Sequence, residues 1–261
     1  MQPIGSYGWA YGETVPKTHD QLEMNYKDLK KKIKVEWDTN TVKVALADTE
    51  SDDNFFYTKL GKDKYGAKAE KFFAQEFNFH HPSEHTVNGK YHDLEMHTIH
   101  LADTQNITGS SDIKHAAVGL FFSVEDFDKK VTENENRTID DFFDSLKFDY
   151  DGEPEVDRID YGKLMSIVEM DYRWIYKGST TTPPCHKNVF WNVVRRVYPI
   201  KERHLKLFKN KLTENKDDVG NTVNHRRLQK INDHEIHFVG AIHIGKTFTA
   251  IFAMALSFMV F

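Results

Sequence analysis

The chain has 261 residues, 39% of them hydrophobic, with 19 Phe and 11 Tyr, which is enough apolar matter for one sizeable core and too much for a disordered chain. Its 35 basic and 40 acidic residues leave a net charge of -5, so there is no overall basic field to attract nucleic acid. Cys185 is the single cysteine, which excludes an internal disulfide and a cysteine-based zinc knuckle.

No Pro/Gly/Ser-rich linker divides the chain, and the reading is one domain over residues 1–239 followed by a hydrophobic tail, 240–261. The opening MQPIGSYGWAYG lacks the apolar run of a secretory signal, and the compartment stays open. Residues 33–46 alternate through Ile33, Val35 and Trp37, turn at Thr39-Asn40, and resume with Val42, Val44 and Leu46, the pattern of a β-hairpin. Runs rich in β-branched and aromatic residues predict further strands at 72–80, 94–101, 116–123, 172–176 and 189–197. Two helices are expected: Asp140–Leu146, with Thr138 as its cap, and Lys201–Leu212, where Leu205, Phe208 and Leu212 make one apolar stripe. Many short strands and few helices imply an α+β, mostly β fold: one domain around a large, mainly antiparallel twisted sheet of about ten strands with few peripheral helices.

Residues 247–261, TFTAIFAMALSFMVF, are uncharged. As a helix they would reach about 22 Å at 1.5 Å per residue, short of the roughly 30 Å of a bilayer's hydrocarbon layer. Three readings stand together: a tail that associates with a membrane or a membrane protein, a removable lipid-anchor signal, or an element packed on the domain itself. The first predicts a membrane-associated protein, at the cell surface, in the secretory pathway or in an organelle.

The densest chemistry lies in FNFHHPSEHTVNGKYHDLEMHTIH, residues 77–100, which holds six histidines. On a strand Glu76, Asn78 and His80 share one side while Phe77 and Phe79 point to the other. Asn88-Gly89 is a strong hairpin dipeptide, and the returning strand places Glu95, His97 and Ile99 on one face and Met96, Thr98 and His100 on the other. Two imidazoles and one amide therefore converge. A hydrolytic zinc site needs three protein ligands, usually imidazoles, an open fourth position, and carboxylates or amides behind the imidazoles to fix their tautomers; Glu84 and Glu95 are of that kind. His81, next to His80 on the strand, faces away and cannot replace a missing ligand.

The stretch resembles the α-class carbonic anhydrases, in which a FHFHxxSEHxxxG…ELHxVH pattern supplies three zinc-binding histidines. Three further segments share the likeness in order: YGWAYG at 7–12, YKGSTTTPPCHKNVFW at 176–191 and NHRRLQKIND at 224–233. The resemblance implies zinc as cofactor and reversible hydration of carbon dioxide to bicarbonate as the reaction. It places His80 and His97 as the second and third zinc ligands, Thr181 as the hydroxyl that orients a zinc-bound hydroxide, and Glu84 as the acceptor behind Thr181. Glu95 becomes the carboxylate behind the third ligand, Thr182 lies in the pocket, and Ile99, Ala117, Thr180 and Trp191 form the carbon dioxide pocket. His85 is implied as a structural histidine and His100 as one at the pocket rim.

The departures bear on function. Asn78 stands where the first ligand histidine belongs, and Glu76 stands where the family has a glutamine supporting that ligand. An amide oxygen is a poor zinc ligand beside imidazole. Thr180 replaces a leucine-type wall, and no histidine lies near Asp52-Asp53-Asn54, where the proton shuttle is expected. Two readings follow: an impaired homologue with a binding or structural role, in a membrane assembly if the tail reaches one, or an active zinc enzyme that acts on carbon dioxide and bicarbonate.

Overall fold

The computed structural model describes residues 3–4, 14–38, 41–46, 54–105, 112–214, 223–229 and 235–240. In chain order the strands and helices are β1 (Pro3–Ile4), β2 (Val15–Pro16), β3 (Glu23–Asn25), β4 (Ile33–Asp38), β5 (Thr41–Ala45), β6 (Phe55–Tyr57), α1 (Leu60–Tyr65), β7 (Lys71–His80), β8 (Thr86–Val87), β9 (Lys90–Tyr91) and β10 (Leu94–Ala102). They continue with β11 (His115–Ser123), α2 (Glu133–Ser145), β12 (Glu155–Val156), α3 (Tyr161–Ser166), β13 (Arg173–Ser179), β14 (Lys187–Pro199), α4 (Glu202–Glu214) and β15 (Ile236–Gly240).

Twelve strands form one sheet in the order β12-β4-β5-β7-β10-β11-β14-β13-β15-β2, with β6 beside β7 and β3 beside β6. Most neighbours are antiparallel, but β11 pairs parallel with β14 and β15 parallel with β2. The expected large sheet is present, in mixed form. A small sheet, β1-β8-β9, carries the turn at Asn88 and Gly89, whose φ angles of 51° and 73° are the left-handed values an Asn-Gly hairpin turn requires.

The alternation of β7 decides what lies on each face. Phe77 and Phe79 enter an aromatic core with Phe142 and Phe143 of α2, Phe148, and Phe208 of α4. Phe77 also stacks on Tyr161 of α3 at 5.3 Å. Each buried phenyl ring contributes about 1.5–3 kcal/mol, so the helix-covered face carries the stability. The opposite face holds Asn78, His80 and His97 over a smaller apolar cluster that includes Ala117, Phe121, Tyr176 and Trp191.

The sheet strands expected from the sequence fall where they were read, within a few residues at each end. The helix expected at Asp140–Leu146 starts earlier: α2 begins at Glu133, capped by Thr132, whose side chain accepts from the Glu135 N–H while the Glu135 carboxylate accepts from the Thr132 N–H. Thr138 lies inside this helix and bonds back to the Asn134 carbonyl. The hairpin turn at 39–40 and the tail at 247–261 lie outside the described residues. Among the described residues no helix is long and apolar enough to cross a membrane.

Candidate functional site

β7 and β10 pair antiparallel with Asn78 opposite His97 and His80 opposite Glu95. This register brings the two imidazoles together with ring centroids 4.6 Å apart. Asn78, His80, Glu84 and His97 are all buried.

The His97 side of the site is fully wired. Glu95, with no exposed surface, accepts four hydrogen bonds: Oε2 from the backbone N–H groups of Glu84 and His85, both at 2.8 Å, and Oε1 from His85 Nδ1 at 2.6 Å and His97 Nε2 at 2.9 Å. Burial alone would raise the Glu95 pKa, but the His85 and His97 rings hold the carboxyl well below its usual range. His85 then accepts from the Tyr176 hydroxyl at 2.7 Å. Gly119 of β11, opposite His97, is required here: a Cβ on it would sit 2.9 Å from Glu95 Oε1. With its Nε2–H committed to Glu95, His97 keeps a lone pair on Nδ1, the tautomer of a metal ligand.

On the Asn78 side, His80 Nδ1 lies 3.2 Å from the carbonyl of Asn224, which can only accept, so this nitrogen carries the proton. Burial lowers the His80 pKa and keeps the ring neutral, leaving a lone pair on Nε2. The Asn78 amide meets that nitrogen with Oδ1 at 3.1 Å, an acceptor facing an acceptor. The pair is satisfied when the amide turns over and its N–H donates to Nε2. In that arrangement the amide N–H occupies the His80 lone pair, and the Oδ1 lone pairs point away from His80. The carboxylate expected to support this corner, Glu76, turns to Lys43 of β5 in a part-exposed ion pair at 2.7 Å. Two imidazoles and an amide are not the three-imidazole donor set of a tight zinc site.

Glu84 lies between the two sides. Its Oε1 accepts from the Arg226 N–H at 2.6 Å, and it is 3.6 Å from His80 Nδ1. Burial works to raise the Glu84 pKa, but His80, His97, the Thr181 hydroxyl and the Arg226 N–H together lower it. Thr181 comes near, yet no hydrogen bond of normal geometry closes on the buried Oε2.

Residues 223–229, which have no regular secondary structure, latch this corner. Asn224 accepts from the His81 N–H at 2.6 Å and donates to the Phe79 carbonyl at 2.9 Å, while Arg226 reaches Ser179 Oγ at 3.2 Å. The sequence reading gave these two residues no role. Their spacing was the available signal, because on an extended chain residues two apart share a face. His81 turns its Nδ1 to the Asp93 carbonyl at 2.6 Å, away from the site as expected.

Of the pocket residues, Ala117 and Trp191 are fully buried and Ile99 packs against them in the small apolar cluster. Trp191 stands edge-on to His97 at 4.8 Å and donates to the Ser179 carbonyl at 3.0 Å. Thr180 and Thr182 lie on the loop after β13, where the Thr180 hydroxyl reaches the Thr182 carbonyl at 3.3 Å and Thr182 is exposed. Cys185 is a free thiol on the same loop. His100 is not at a pocket rim. It has no exposed surface, stands edge-on to Phe56 at 4.8 Å and meets the Tyr26 hydroxyl at 2.9 Å, on the opposite face from His97.

A family model described as eukaryotic-type carbonic anhydrase matches residues 12–239. Alpha carbonic anhydrase 7 of Arabidopsis thaliana is 29% identical over 163 residues, 62% of this chain and 52% of that protein. Dioscorin DB3S of Dioscorea polystachya is 30% identical over 141 residues, 54% of this chain and 47% of that protein. The chain thus spans about half the length of the curated relatives it matches. Among solved structures, dioscorin complexed with ascorbate has a TM-score of 0.62 at 21% identity, covering 88% of this chain and 82% of that one. The alpha-carbonic anhydrase of Thermovibrio ammonificans with the inhibitor sulfanilamide has a TM-score of 0.58 at 23% identity, covering 87% and 85%. At these identities the structural likeness speaks for the fold.

Proposed function

We propose that this chain, which belongs to the eukaryotic-type carbonic anhydrase family, is a member in which hydration of carbon dioxide is weak or lost and the fold serves a binding or structural role. One observation carries the reading: Asn78 stands opposite His97 and directs its amide to His80 Nε2 at 3.1 Å, so the corner that needs a third imidazole is closed by a hydrogen bond within the protein. A bound zinc ion would supply the hydroxide for the family's reaction. The residues that remain for that chemistry are His80 and His97 as ligands, Glu95 as the fixed acceptor behind His97, and Glu84 with Thr181 as the pair that orients an oxygen. Their retention favours a second reading, an active carbonic anhydrase that interconverts carbon dioxide and bicarbonate.

Metal content and stopped-flow hydration separate the two. Wild-type protein is expected to hold less than one equivalent of zinc after mild dialysis and to hydrate carbon dioxide far more slowly than the Asn78→His variant. The gain should exceed the roughly 10- to 100-fold that changes behind a ligand produce, because a whole ligand is restored. One equivalent of zinc and rapid turnover in the wild type would establish the second reading.

Residues 247–261 carry the membrane part of the proposal, since fifteen uncharged residues follow a domain whose family match ends at residue 239. Deleting them is expected to move the protein out of the membrane fraction and leave Tm nearly unchanged. A large fall in Tm would assign them to the core instead.

A further inference from the structure

Among the described residues, His92 alone leaves both nitrogens of a buried ring without a hydrogen-bond partner. It is 8% exposed, lies between β9 and β10, and packs its ring at 4.8 Å on Phe121 of the small apolar cluster. A neutral imidazole carries one N–H and one lone pair, so this ring forgoes two hydrogen bonds that it would make in water. Its backbone is fully engaged. The His92 N–H donates to Ser83 Oγ and the His92 carbonyl accepts from the Ser83 N–H, both at 2.9 Å, and Ser83 Oγ donates in turn to the His85 carbonyl at 2.7 Å. His92 therefore holds the start of the segment that carries Glu84 and His85 into the site.

We propose that His92 is an acid-released clasp: on taking a proton its ring leaves the apolar cluster for water, lets go of Ser83, and opens the β8–β9 hairpin beside Glu84 and His85. The charged groups around the ring are committed elsewhere. Lys90 of β9 pairs with Asp126 at 2.7 Å, Asp93 accepts from the Ser123 hydroxyl and the Val124 N–H, and Glu95 of β10 already accepts four hydrogen bonds. Burial lowers the His92 pKa and outweighs Asp126, Glu95 and Asp93, which favour the proton, while Lys90 opposes it. A ring in water keeps its ordinary value of about 6.5. Above that pH the closed and open forms are both neutral and the clasp has its full strength. Below it the open form gains a proton that the closed form resists, so the closed form loses ground about tenfold for each pH unit until the lowered value of the buried ring is reached. The part that opens is small, because β8 and β9 have two residues each and meet at the Asn88-Gly89 turn, and a local opening of this size leaves the large sheet in place. The clasp is independent of the reading of residue 78.

Hydrogen exchange of the full chain, followed peptide by peptide at about pH 7.5 and pH 5.5 and corrected for intrinsic rates, reads the clasp. In wild type, opening at 83–91 is expected to rise about tenfold between the two conditions, while β10 and β11 stay protected. His92→Phe keeps an apolar ring against Phe121 and has no proton to take, so its opening there should change less than about threefold. Ring NMR of the wild type is a second readout, which stands even if His92→Phe does not fold: the His92 titration and the opening of 83–91 should share one midpoint, below the ordinary value of about 6.5. The proposal is overturned if 83–91 opens as much in His92→Phe as in wild type, if it stays closed in wild type at pH 5.5, or if the ring takes its proton while the hairpin remains closed.

Discussion

His97 and Asn78 face each other across one pair of strands, yet their surroundings differ in kind. Behind His97, Glu95 accepts four hydrogen bonds and His85 extends the chain to Tyr176. Behind Asn78, the carboxylate of Glu76 turns to the part-exposed Lys43. The His97 side is tied into folding by groups that become costly if any partner leaves, so it persists whether or not a metal is ever bound. The Asn78 side is tied instead by the irregular 223–229 segment, through Asn224 and Arg226, and not by a carboxylate behind the residue itself. The surroundings of the two facing positions are thus built independently, so a change at residue 78 need not disturb the wiring behind His97.

The strongest test of that contrast is Glu95→Leu. It strands the His85 and His97 donors and two backbone N–H groups in a buried place, and is expected to cost about 3–5 kcal/mol in urea unfolding. A loss below about 1 kcal/mol would show that the wiring behind His97 is not structural.

Asp140 supplies an intermediate scale away from the site. Burial works to raise its pKa, but donors from Lys201, His204 and Arg203 prevail and lower it to about 2. Its contribution to stability is therefore present above about pH 4, the range in which the unfolded carboxyl is ionised, and is lost as pH falls through 2. Asp140→Asn should lower stability by on the order of 1 kcal/mol at neutral pH, with the difference closing between pH 4 and 2. A difference that persists at pH 2 would mean that packing, not charge, is responsible.

The smallest effect is expected at Glu76. Its ion pair with Lys43 is part-exposed, so Glu76→Gln should change stability by less than about 1 kcal/mol and lose even that in high salt. Combined with Asn78→His, the same change should raise zinc retention further, because glutamine can support the new imidazole without adding charge. If zinc retention falls instead, the two sides of the site are coupled more tightly than their hydrogen bonds suggest.

Much of the fold could be read in advance because β7 and β10 announce themselves: Phe77 and Phe79 alternate with Asn78 and His80, and Asn88-Gly89 marks the turn between the strands. The start of α2 was misread for a physical reason. Its first turns, Glu133 to Thr138, hold no apolar residue, so the periodic signal begins only at Ile139, while the capping box that starts the helix is polar throughout. The short helices α1 and α3 were missed because each is six residues long and contains a glycine. In the site, the strand pair was legible from alternation, but the partners behind it were not: Tyr176 is 91 positions from His85 and Arg226 is 142 from Glu84. His100 shows the limit of resemblance, since its position on the face of Met96 and Thr98 already argued against a pocket rim.

The latch at Asn224 and Arg226 has a consequence in time as well as in space. A ribosome releases β7 and β10 well over a hundred residues before it releases the segment that grips His80 and Glu84, so for much of synthesis the cleft is a sheet face with one wall missing. The last contacts to form are of high sequence separation and are held by hydrogen bonds without a helix or strand around them. In the finished protein that segment should be the first to let go, opening the site in a local fluctuation far cheaper than unfolding the sheet, and backbone amides at 224 and 226 should exchange with solvent ahead of those in β7.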